Sequence, residues 1–81
     1  MLLTFIYNGK ELLQRHESVF PPIGSFVRII AGREEQLWKV QQLEFVYESK
    51  EGIGNLRPEV NVYLRKIRPG EAGNMDEPTG Y

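Results

Sequence analysis

Hydrophobic and polar positions alternate in twos along this chain, and turn residues cut the alternation into short runs. The longest run is WKVQQLEFVYE, residues 38–48, which carries the single Trp. Within it Trp38 and Val40 alternate with Lys39 and Gln41, whereas Leu43, Phe45 and Tyr47 alternate with Glu44, Val46 and Glu48. The two series have opposite parity. Successive strand side chains point to opposite faces, so a parity change flips the buried face unless one residue is extra. A β-bulge at Gln41 and Gln42 supplies that residue and is expected to keep Trp38, Val40, Leu43, Phe45 and Tyr47 on one side. It also bends the strand, as a small barrel requires. A helical period of 3.6 fits the run poorly, and its aromatic and β-branched residues favour a strand.

The remaining runs follow the same period. Residues 2–7 are apolar and rich in β formers, and Asn8-Gly9 is the strongest short hairpin signal, because both turn residues take positive φ. Residues 10–18 are then the return strand. A helix competes here: Asn8 followed by Glu11 resembles a capping box, and ELLQRHE consists of good helix formers. A helix of about nine residues is marginal without packing, so the hairpin is preferred and the helix is left as its alternative. Phe20-Pro21-Pro22-Ile23-Gly24 breaks regular structure, since the prolines lack donors and push their preceding residues toward extended geometry. Residues 25–31 form a strand that is apolar on both faces except for Arg28, and Gly32-Arg33-Glu34-Glu35 is a polar turn. The long bent strand runs over 36–48, and 49–58 is a loop containing Gly52 and Gly54. Residues 59–67 alternate again, with Val60, Val62 and Leu64 on one face and Asn61, Tyr63 and Arg65 on the other, until Pro69-Gly70. The remainder carries too little apolar surface to offset its ordering entropy and is expected to be flexible.

Five short strands with tight turns close most easily as a small bent barrel, which protects the sheet edges. The segments PPIGSFVRI, LWKVQQLEFVY and VNVYLRKI, spanning residues 20–67, resemble small Src-homology-3-like (SH3-like) barrels. Among these they look most like short uncharacterised proteins of phage or prophage origin, with a Pro-x-x-Gly entry, a bent strand and a final Val-x-Val-x-Leu strand. The resemblance implies an all-β fold: a five-stranded SH3-like barrel over residues 1–68, followed by a flexible acidic tail over 69–81. No Ala-Leu-Tyr-Asp-Tyr-like segment and no Trp-Trp pair is present, so the resemblance does not extend to binding of proline-rich peptides.

At 81 residues the chain is one domain with a small core. It has no cysteine, which removes disulfides and thiolate metal sites and suits a reducing, cytoplasmic setting. The first residues lack the basic and long apolar regions of a signal peptide, and no apolar run approaches the ~18 residues of a membrane span. The net charge of −1 hides an asymmetry: residues 1–68 carry +2 and residues 69–81 carry −3. A core at +2 is well short of a nucleic-acid footprint.

No catalytic set emerges. His16 is the single histidine and sits among ordinary polar residues, so it reads as a surface side chain. Glu34 and Glu35 read as a solvated turn, because adjacent carboxylates on a tight turn diverge. Gly52-Ile53-Gly54-Asn55 is half of a dinucleotide fingerprint with no third glycine and no helix behind it. No nucleophile–base pair is available, so the chain is expected to be non-enzymatic, with no cofactor and no metal. If Val27 and Ile29 point into the barrel, then Phe26, Arg28 and Ile30 point out, as do Tyr63, Arg65 and Ile67, with Val46. Aromatic residues mixed with Arg have an interface composition, which makes Phe26, Arg28, Tyr63 and Arg65 the candidate protein-binding residues. The alternative is that the tail or the first hairpin covers this face. The expected function is therefore a protein-binding module, such as a phage-encoded adaptor, assembly factor or inhibitor of a host protein machine. The alternative partner is a nucleic acid, read by Arg28, Lys39, Arg57, Arg65, Lys66 and Arg68. Self-association stays open.

Overall fold

The structure, a computed structural model, describes residues 1–48 and 58–72. Five strands account for its regular structure: β1 (Leu2–Tyr7), β2 (Lys10–His16), β3 (Phe26–Ala31), β4 (Glu34–Val46) and β5 (Glu59–Lys66). They form one sheet in the order β2-β1-β5-β4-β3, curled into a half-barrel. The small all-β architecture expected from the alternation is present, with no helix among the described residues.

Each strand junction has a local cause. Asn8 and Gly9 take φ of 52° and 76°, as a two-residue hairpin between β1 and β2 requires. This settles residues 10–16 as strand rather than helix. A bulge in β2 opposite Phe5 and Ile6 lets Leu12 and Leu13 both pack toward the core. The turn between β3 and β4 is tighter than the sequence suggests. Ala31 pairs with Glu34, so Gly32 and Arg33 alone make the loop, with Gly32 at φ 64°. A positive φ at the first loop position is the type II′ pattern, and it starts β4 at Glu34.

The expected bulge in β4 is present. Val40 pairs with Leu64 and Gln42 with Tyr63, leaving Gln41 as the extra residue. Trp38 and Val40 before the bulge are buried, and Leu43 after it packs on the same core. Further along the strand Phe45 keeps the expected side but is not covered. Phe45 lies opposite Val60 yet is 44 % exposed, with its ring edge-on to Phe20 at 5.1 Å, and Tyr47 lies beyond the strand at 77 % exposure. Both side chains stand exposed at the rim of the half-barrel.

The chain places its last strand in the middle. β5 pairs parallel with β1 on one side and antiparallel with β4 on the other. Its alternate residues Val60, Val62 and Leu64 are accordingly the floor of the core, with Val62 fully buried. Leu3 and Phe5 from β1 and Trp38 and Val40 from β4 complete it. Trp38 packs on Tyr7 with ring centroids 4.6 Å apart, and Lys66 caps Tyr7 from 5.8 Å. The crossing from β2 to β3 is pinned at the bulge: Gly24 N donates to Val40 O, and Val40 N donates to Ser25 O.

Four described residues lie past the domain boundary expected at residue 68. Residues 69–72 form a turn folded back on the sheet, and Ala72 is buried. The loop reading of residues 49–57 and the flexible-tail reading of 73–81 fall outside the described residues.

Candidate functional site

The strand registers define the convex face of the sheet. Phe26 on β3 lies opposite Lys39 on β4, and Lys39 lies opposite Arg65 on β5, making one row across three strands. Arg28 lies opposite Leu37, and Tyr63 lies opposite Gln42, with Glu44 and Asn61 paired next to them. The four residues singled out from the sequence thus share one face. They are not equally available on it.

Arg65 is engaged. Its two terminal nitrogens grip the Glu71 carboxylate, Nη1 at 2.8 Å from Oε1 and Nη2 on Oε2. Lys39 Nζ donates to the same Oε2 at 3.0 Å, and the Arg68 backbone N–H donates to Oε1 at 2.9 Å. The turn that brings Glu71 here is closed by its own N–H donating to Arg68 O, with Gly70 at φ 78°. The Arg65 guanidinium, the Arg68 amide and Lys39 together hold the Glu71 carboxyl well below the usual carboxylate range. The hydrogen bond to Glu71 pushes the Arg65 pKa up in turn.

Lys39 Nζ also lies 5.2 Å from the Phe26 ring centroid, so the cation is shared between an aromatic face and a carboxylate. Tyr63 Oη donates to Glu44 Oε1 at 3.0 Å, and Asn61 Nδ2 donates to the same oxygen at 2.7 Å. These bonds, Asn61 first, lower the Glu44 pKa, and the bond to Glu44 raises that of Tyr63. Arg28 Nη1 meets Glu35 Oε1 at 2.8 Å on the exposed edge.

Lys39, Glu71, Glu44 and Leu37 are the members of this face that alternation alone does not single out. Leu37 is buried although it lies on the face opposite the core. Pro69-Gly70 is the available sequence signal for Glu71: a turn just past Arg68 can return an acid to Arg65 on the preceding strand.

The other candidates stay apart. His16 is exposed at the end of β2, and Glu34 and Glu35 alternate along β4 instead of converging. The Gly52 to Asn55 stretch lies outside the described residues. Among the described residues no three His, Asp or Glu side chains gather as a metal centre needs. A second feature lies at the open side of the half-barrel. There a cleft of about 490 Å³ is lined by Leu12, Ile29, Ala31, Glu34, Glu35, Gln36 and Trp38. Compared with models of known protein families, with curated proteins and with solved structures, the chain matches none of them.

Proposed function

We propose that this chain is a non-enzymatic protein-binding module that meets its partner through the convex face carrying Phe26, Arg28, Tyr63 and Arg65. The observation that carries the reading is the row Phe26–Lys39–Arg65 beside Tyr63. It brings two aromatic rings and two cations together on a strand-built, rigid surface. Aromatic and Arg side chains dominate interface hot spots, where truncation costs ~2 kcal/mol or more. The resemblance of the core pattern to short phage barrels supports an adaptor, assembly factor or inhibitor acting on a host protein.

A nucleic-acid partner is less well supported, because the cations of this face are met by carboxylates: Lys39 and Arg65 by Glu71, and Arg28 by Glu35. The test is capture from lysate of the source cells. The wild-type chain and a Val19→Ser control, altered at an exposed site in the connection between β2 and β3, should retain the same protein. A Tyr63→Ala, Arg65→Ala pair that keeps its fold should lose it. Retention by the double variant overturns the proposed face. Submicromolar binding of oligonucleotides that falls steeply with salt overturns the choice of partner.

A further inference from the structure

Lys39 and Arg65 are directly opposite each other on neighbouring strands. Two like charges in that position repel, and the pair destabilises a sheet unless an anion lies between them. Glu71 is that anion, and its side chain is only 16 % exposed, with Lys39 and Arg65 similarly sheltered. Reduced solvent contact strengthens each pairing over an ordinary surface one. The geometry suits a carboxylate. Arg65 offers a two-pronged grip, the Arg68 amide reaches one oxygen, and Lys39 reaches the other. The residue after the acid, Ala72, is buried, so a small side chain follows the carboxylate into shelter.

We propose that this is a receptor for a carboxylate on a partner's acidic segment, a Glu followed by a small residue, and that Glu71-Ala72 is its built-in competitor. The proposal rests on the protein-binding reading of the convex face and names the partner's chemistry. The repulsion between Lys39 and Arg65 means that any partner displacing Glu71 must bring its own anion. The short tether from Arg68 gives Glu71 an effective concentration of order millimolar, so a bare acid does not displace it. A partner must add contacts, and Phe26 and Tyr63 lie on the same face to supply them.

The test uses the full chain carrying Glu71→Gln and the octapeptide PGEAGNMD, the sequence of residues 69–76, added in trans. Binding is read by NMR at the Arg68 amide and the Arg65 Nε–H. The peptide should bind Glu71→Gln at least roughly tenfold more tightly than the wild-type chain, which is self-competed. The peptide PGQAGNMD should not bind. A folded Glu71→Gln chain that gives no saturable shift overturns the proposal, and so does an equal response to inorganic phosphate, which would make the site a general anion hole. Should Glu71→Gln fail to fold, the wild-type chain is titrated to high peptide concentration, and a flat response at Arg68 overturns the proposal. Loss of peptide binding with partner capture intact sinks the carboxylate receptor alone. Peptide binding with no protein captured supports the receptor and counts against the wider protein-binding reading.

Discussion

Trp38 is the side chain on which the core depends most, and Trp38→Ala is the sharpest test of the packing described above. The ring is 6 % exposed, packs on Tyr7 and forms one wall of the cleft at the open side of the half-barrel. A buried Trp removes roughly 200 Å² from water. At about 25 cal/mol per Å² this is ~5 kcal/mol for the whole side chain, of which Ala retains a part. A closed void would add a cavity cost, but this site adjoins an open cleft also lined by exposed Glu34, Glu35 and Gln36. Water can therefore enter, and the loss falls toward the lower end of the usual range for Trp→Ala, about 3–4 kcal/mol. Domains of this size hold only about 4–12 kcal/mol in total, so the variant should lose about a quarter or more of its stability. With melting shifts of about 4–8 °C per kcal/mol, the midpoint should fall by at least about 12 °C. Denaturation must be followed by far-UV circular dichroism, since the substitution removes the only Trp. A Tyr47→Ala control, at a site 77 % exposed, should change stability by no more than about 0.5 kcal/mol. Equal midpoints for Trp38→Ala and Tyr47→Ala would refute the placement of Trp38 in the core.

Two further outcomes follow from the turns and the carboxylate clamp. Gly9→Ala should cost about 1 kcal/mol in urea denaturation although nothing lies within 4 Å of the added methyl, because Gly9 sits at φ 76° and the cost is one of backbone alone; an unchanged midpoint would mean a different turn. Glu71 has its folded pKa depressed, so its contribution is fully present above its unfolded value of about 4.3 and is lost as pH falls below it. The difference in melting temperature between the wild-type chain and Glu71→Gln should therefore be largest near neutrality and shrink as the pH is lowered from 5 toward 2, roughly the range set by that linkage. A difference that stays constant over this range would show that Glu71 is not held by the cations around it.

The fold was legible where the two-residue period is strict. Val60, Val62 and Leu64 declare one buried face, and β5 buries them. The parity break at Gln41 located the bulge, because no other device keeps Trp38 and Leu43 on one side. Asn8-Gly9 chose the hairpin over the helix, since a pair of positive φ values is a turn property that no helical capping box shares. What alternation leaves out is cover. Phe45 and Tyr47 have the correct parity for the core, but parity gives a side of the sheet and not what lies above it. Leu37 shows the converse. It lies on the outward side and is buried all the same.

The convex face was legible as a set and opaque as a circuit. Alternation places Phe26, Arg28, Tyr63 and Arg65 on one side without reference to any partner, because each position depends only on its own strand. Whether a cation on that side is engaged depends on residues distant in sequence, and the bond from Lys39 to Glu71 spans 32 positions. Composition pointed away from it: residues 69–81 are acidic and poor in apolar side chains, which argues for a solvated tail. That argument concerns average burial, and a single carboxylate can anchor a chain without it when two opposed cations stand within reach. Lys39 and Arg65 supply the reason from the other side of the contact. Placed opposite each other on paired strands, they repel until an acid arrives, so the sheet itself creates the demand that Glu71 meets. A like-charge cross-strand pair beside a short Pro-Gly turn and an acid is thus a signal that strand alternation alone does not give and that strand register does.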